Sequence, residues 1–166
     1  QTVCYAIEHA HEITSDIEAV DRAMRTGYNW EKGPFEMVDA LGVDYFIDRL
    51  KKDGDAVPAF LQQAAGRSFY RVEEGKLQYM NQSGGYENVK RPDGVLLLSD
   101  VKLASKPVLS NRSASTWDVG DGVLCLEFHT DSNALDDKIM KLINETCDLI
   151  ENNRDKYKAL VIHNEG

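Results

Sequence analysis

Apolar residues recur at helical spacing through the first 66 positions. Val3, Ile7 and Ala10 share one face of a first helix over residues 2–12. Ile17, Val20, Ala23 and Met24 form the stripe of a second, with Ser15 and Glu18 in a capping-box pattern ahead of it and Gly27 as its predicted stop. Gly33-Pro34 predicts a third start, since proline is pre-organised for a first helical turn. Phe35, Val38 and Leu41 then point inward, and Gly42 ends the helix. Asp44 is the expected cap of a fourth helix with Phe46, Ile47 and Leu50 inside. Pro58 opens a short fifth helix through Ala64, closed by Gly66.

At Ser68 the period changes to two. Phe69, Tyr70 and Val72, then Leu77, Tyr79 and Met80, flank Glu73-Glu74-Gly75-Lys76 and predict a β-hairpin. Residues 81–94 are polar and glycine-rich, ending in the turn signal Pro92-Asp93-Gly94, and read as a linker. Residues 99–114 read as loop. A second hairpin is predicted by residues 116–119 and 123–128 around Gly120-Asp121-Gly122, where positive φ is tolerated. Asp131, Ser132 and Asn133 offer caps for a helix whose inner face is Leu135, Ile139, Leu142, Ile143, Thr146 and Ile150, with Asp136 and Asp137 in its first turn. Residues 158–163 read as a buried strand, which completes a βαβ unit with parallel strands. The pattern predicts an α+β chain: an all-helical bundle of short helices over 1–66, a β-hairpin and linker over 67–114, and the βαβ unit over 115–166.

Composition narrows the function classes. The 166 residues are 42% hydrophobic and 28% charged, enough apolar content for a core and inconsistent with a disordered or fibrous chain. Twenty-eight acidic residues against 19 basic give a net charge of -9, which argues against a nucleic-acid partner. No apolar run approaches the length of a membrane helix, and no leader pattern is present, so a cytoplasmic protein is expected. The sequence opens at Gln1 and stops just after Ala159-Leu160-Val161-Ile162, from which we expect a piece of a longer fold.

Candidate chemistry is sparse. Cys4, Cys125 and Cys147 are far apart and odd in number, fitting a reducing compartment, and Cys125 and Cys147 read as small core residues. His9 and His11 fall on different helix faces, and no metal site is expected. No glycine-rich phosphate loop or nucleophile elbow occurs, and no serine, histidine and acid stand in a recognisable arrangement. The pairs Glu73-Glu74 and Asp136-Asp137 read as solvated charge, and Tyr28, Trp30 and Phe35 as an aromatic corner of a core.

Two segments carry a family likeness. Val20-Asp21-Arg22-Ala23-Met24, followed by Gly33-Pro34-Phe35-Glu36 and by Asp39 and Gly42, resembles the C-terminal helical domain of 3-hydroxyacyl-CoA dehydrogenases. With Trp30-Glu31 ahead of Gly33, it looks like the second of two such repeats in long multifunctional enzymes. Residues 117–128, Ser132-Asn133-Ala134-Leu135 and the helix and strand after them resemble the opening of an enoyl-CoA hydratase (crotonase) domain. That order is similar to bacterial fused β-oxidation proteins.

The resemblance implies a parent enzyme that hydrates enoyl-CoA and oxidises 3-hydroxyacyl-CoA with NAD. It implies an NAD site and catalytic residues outside this chain, with no catalytic residue within it. It places Asn133, Ala134 and Leu135 beside the adenine of coenzyme A, although Asp131-Ser132 stand where the family often has a basic or apolar residue. The chain alone is expected to be inactive, to give structural support and part of a CoA cradle, and to form homo-oligomers. The alternative is a non-catalytic interaction or dimerisation module built on helical faces and an open strand edge.

Overall fold

The computed structural model describes residues 1–164. The chain divides into two compact units, residues 1–92 and residues from 93 onward.

The first unit opens with helices α1 (Thr2–Ile13), α2 (Ile17–Tyr28), α3 (Pro34–Leu41), α4 (Val43–Asp53) and α5 (Ala59–Gln63). Strands β1 (Tyr70–Glu73), β2 (Lys76–Met80) and β3 (Tyr86–Asn88) follow as an antiparallel sheet in that order. The expected hairpin is present, with Glu73 opposite Lys76 and Glu74 and Gly75 both at positive φ in its turn. It is not a separate piece, however. Tyr79 and Met80 are buried in one core with Ile7, Ile17, Phe35, Val38, Leu61 and Phe69, because the helices alone leave that face open. The stretch expected as linker carries β3, whose Tyr86 hydroxyl reaches the Ser68 carbonyl.

Several helix ends differ from expectation. The cap of α2 is Asp16, whose carboxylate accepts from the Glu18 amide, so Ser15 does not cap it. That helix runs through Gly27 to a left-handed Asn29, a conformation asparagine tolerates. Gly42 at φ 92 both ends α3 and caps α4. Asp44 instead accepts from the Gly66 amide. Of the aromatic corner, only Phe35 is core; Tyr28 is 73% exposed and Trp30 half-buried.

The second unit contains α6 (Leu98–Ala104), β4 (Leu109–Ser110), β5 (Ala114–Asp118), β6 (Val123–Phe128), α7 (Asp137–Asn152) and β7 (Ala159–Ile162). From Ser99 onward, α6 and β4 occupy residues read as loop. The sheet order is β4-β5-β6-β7, antiparallel except for the β6–β7 pair, which is parallel as predicted. Alternation sorts the strand residues onto two faces. Ala114 and Leu126 pack with Ile139 and Leu142 of α7, and Trp117 and Cys125 pack with Leu98 of α6. β7 is an edge strand, not a buried one: Val161 and Ile162 are 48% and 53% exposed. Cys147 lies on the outer side of α7 and is exposed.

Candidate functional site

In open sheets, ligands gather outside the carboxyl ends of parallel strands. Here that edge is formed by Phe128 at the end of β6 and His163 and Asn164 after β7. The His163 amide donates to the Leu126 carbonyl at 3.1 Å, and the Phe128 amide to Asn164 Oδ1 at 2.7 Å.

The chain leaves β6 into a tight turn that holds Asn133, Ala134 and Leu135. Residues Asp131–Asn133 form a single 3-10 turn, with Ser132 and Asn133 both left-handed at φ 56 and 53. The Asn133 amide donates to the Thr130 carbonyl at 3.1 Å, and the Ala134 amide to the Asp131 carbonyl at 3.2 Å. Thr130 Oγ1 closes the turn by donating to the Ala134 carbonyl at 2.8 Å. These bonds leave the Asn133 carbonyl and the Leu135 amide unused by the turn. Asn133 is therefore not the helix cap. Asp136 is, its carboxylate accepting from the Ile139 amide at 2.8 Å. Leu135 precedes α7 and is 65% exposed, so it is not on the helix's buried face. The helical period continued across a turn whose left-handed backbone interrupts it.

The turn is held from the residues that lead into β5. The Ser113 carbonyl accepts from the His129 amide at 2.8 Å, and its hydroxyl donates to Asp136 Oδ2 at 2.7 Å. That bond, then the Ile139 amide, holds the Asp136 carboxyl below the usual carboxylate range. Asn111 adds a second tie, donating to the Lys138 carbonyl at 2.8 Å while accepting from the Ser113 and Ala114 amides.

Beside the turn, the sheet face toward α6 carries a serine, a histidine and an acid that no motif announces. Ser115 Oγ lies 2.9 Å from His129 Nε2 and accepts from Trp117 Nε1 at 2.9 Å. Glu127 pairs with Lys102 and reaches His129 Nε2 at 3.5 Å. Serine and acid face the same ring nitrogen, whereas a nucleophile–base–acid relay uses both. Ser115 is also buried, so the cluster ties α6 to the sheet and is not a nucleophile. An apolar cleft of about 230 Å³ lies on this face, lined by Leu96, Leu98, Val119, Cys125, Val161 and His163.

In the first unit, two buried or half-buried carboxylates organise the backbone. Asp21 accepts from the Phe35 and Glu36 amides at 2.9 and 3.1 Å and from the Tyr70 hydroxyl at 2.8 Å. Burial is the main reason its carboxyl rises to about 6. Asp39 accepts from the Phe69 and Tyr70 amides, both at 2.7 Å, and burial raises it too. Thus Asp21 joins the start of α3 to β1, and Asp39 carries α3 onto the same strand. Glu36 Oε2 accepts from the Gly33 amide at 2.8 Å, and its other oxygen pairs with Arg25. Asp21, Glu36 and Asp39 are legible in the sequence as motif positions, but their role as backbone acceptors is visible only in the fold. Among the described residues, no three His, Cys, Asp or Glu side chains gather as a metal site, and no helix is long and apolar enough to cross a membrane.

Residues 1–88, which hold these helices and acceptors, match the family described as 3-hydroxyacyl-CoA dehydrogenase, C-terminal domain, and the chain belongs to that family. Over 169 residues it is also 37% identical to the "Probable 3-hydroxyacyl-CoA dehydrogenase" of Bacillus subtilis (strain 168). That similarity covers 100% of this chain and 21% of the relative, so the chain spans about a fifth of the relative's length. No solved structure matches the chain.

Proposed function

We propose that the chain serves within a longer cytoplasmic enzyme that oxidises 3-hydroxyacyl-CoA with NAD and hydrates enoyl-CoA. In this reading, the helices of residues 1–66 and the three-stranded sheet packed on them form the dehydrogenase's C-terminal domain, and residues 115–166 open a crotonase domain. The observation that carries it is the extent of the similarity to the Bacillus subtilis relative, which continues past residue 88 through the whole chain. The parallel β6–α7–β7 unit with a turn at its ligand-binding edge supports the hydratase part.

Asn133, Ala134 and Leu135 then take the neutral adenine of coenzyme A. The Asn133 carbonyl and the Leu135 amide supply an acceptor and a donor for a base edge, and the Leu135 side chain an apolar contact. NAD does not fit the same place. Asp131, Asp136 and Asp137 line the passage from β6 into α7 and would repel a pyrophosphate at that helix start. We therefore assign NAD to no residue of this chain, and coenzyme A's own phosphates must point away from these acids.

Titrating the chain with coenzyme A, while following the amide resonances of residues 133–135, tests the reading. Selective shifts there are expected, with no turnover of crotonyl-CoA or of 3-hydroxybutyryl-CoA plus NAD by the chain alone. Shifts scattered elsewhere, or measurable turnover, count against it.

The exposed β7 edge favours a second reading, a non-catalytic association module, and under either reading we propose that copies associate. Sedimentation at rising concentration separates the outcomes: a monomer throughout rejects association, and association without coenzyme A binding favours the module.

A further inference from the structure

Residues 130–135 are fixed at both ends by one side chain and its own backbone. Ser113 stands immediately before β5, almost fully buried. Its carbonyl holds the His129 amide where the chain leaves β6, and its hydroxyl holds Asp136 where the chain enters α7. The two attachments are seven residues apart in sequence and meet at a single residue. Between them the turn closes on itself through Thr130, Asn133 and Ala134. Two consecutive non-glycine residues, Ser132 and Asn133, are left-handed there. Such a backbone persists only when its surroundings over-determine it.

We infer that Ser113 is the positioning residue of the coenzyme A turn, presenting the Asn133 carbonyl and Leu135 amide in a fixed geometry without touching the ligand. The role rests on the ligand reading proposed above. Its physical basis is preorganisation: a turn already ordered spends little binding energy on becoming so. The hydroxyl is the specific element, because the carbonyl bond survives any side-chain change. Its bond is to a carboxylate, and bonds to charged groups are the stronger kind. Asn111 grips the Lys138 carbonyl from the neighbouring position but reaches neither His129 nor Asp136.

The test compares the full chain with its Ser113→Ala and Ser113→Thr variants. Amide hydrogen exchange without ligand reads the clamp alone. Ser113→Ala is expected to speed exchange at Asn133 and Ala134, while amides from Leu142 onward in α7 keep wild-type protection. Coenzyme A titration then reads the consequence, an affinity about tenfold weaker in Ser113→Ala, with Ser113→Thr restoring both. Unchanged exchange in Ser113→Ala overturns the clamp. Faster exchange with unchanged affinity overturns the positioning role. A wild-type chain whose 133–135 amides ignore coenzyme A sinks the ligand reading and this role with it, and the exchange result identifies that failure as the ligand's, not the clamp's.

Discussion

The Tyr70 hydroxyl donates to Asp21 Oδ2 at 2.8 Å, across 49 positions of sequence. The same carboxylate accepts the first amides of α3, so a single side chain links α2, α3 and β1. Burial and the neighbouring Asp21 charge push the Tyr70 phenol far up, so it stays a donor at any working pH.

Asp21→Ala leaves the Phe35 amide, the Glu36 amide and the Tyr70 hydroxyl without their acceptor. Buried donors left unpaired cost about 1–3 kcal/mol each, and a total loss of about 3 kcal/mol is expected. Urea unfolding at pH 5, where the carboxyl is mostly protonated and no buried charge is relieved, measures it. A loss below about 1 kcal/mol would show that the three donors find other partners.

The same group makes stability depend on pH. Asp21 binds its proton more tightly folded, at about 6 against an ordinary 3.8, because burial disfavours the anion. Its stabilising contribution is therefore full below about pH 4 and is lost as pH rises through about 6, an effect of about 3 kcal/mol. Asp39, also raised by burial, slopes the same way, and Asp136, lowered by Ser113, slopes oppositely in more acid solution. The difference between wild type and Asp21→Asn isolates the effect. That difference should change steadily between pH 4 and 6, and a flat difference would contradict it.

Gly33 is required for space rather than for backbone freedom. A methyl group there would collide with the backbone and carboxylate of Asp21. Gly33→Ala is expected to cost about 1–3 kcal/mol and lower the melting temperature. Gly27 is the contrast: it lies inside α2 with open space around it, so Gly27→Ala should stabilise by about 0.5–1 kcal/mol. Equal effects at the two glycines would refute the packing argument.

In the second unit, Thr146 Oγ1 donates to the Leu142 carbonyl at 2.7 Å, so Thr116 Oγ1 is the donor across the 2.8 Å gap between the two threonines. Both are fully buried. Thr146→Val orphans the Thr116 hydroxyl and should cost about 1–3 kcal/mol, whereas Thr116→Val with Thr146→Val should fall within about 1 kcal/mol of wild type. Denaturant unfolding of these two variants and of Thr116→Val alone closes the cycle, and an additive result would count against the pairing.

The identity and order of the main elements were legible in local sequence patterns alone. Helical stripes such as Val38 beside Phe35, the alternation across Glu74-Gly75, and the repeat of Leu142 and Thr146 are local periodicities, and local backbone geometry follows from them. The dehydrogenase motif was equally legible, since its residues lie close together between Val20 and Gly42. Partnerships between distant residues emerge only from the fold. Asp21 and Asp39 are motif positions in the sequence, but only the fold brings them the Phe35, Phe69 and Tyr70 amides and the Tyr70 hydroxyl that they accept from. Leu135 fitted the helical stripe until two left-handed residues broke the helix before it. Val161 and Ile162 spelled a buried strand, yet burial belongs to what covers a strand, not to the strand. Ser113 carried no signal at all, because a serine's role lies in the two chain ends it brings together. Periodicity is encoded within a few residues, whereas acceptors, caps and clamps exist only once the chain has folded back on itself.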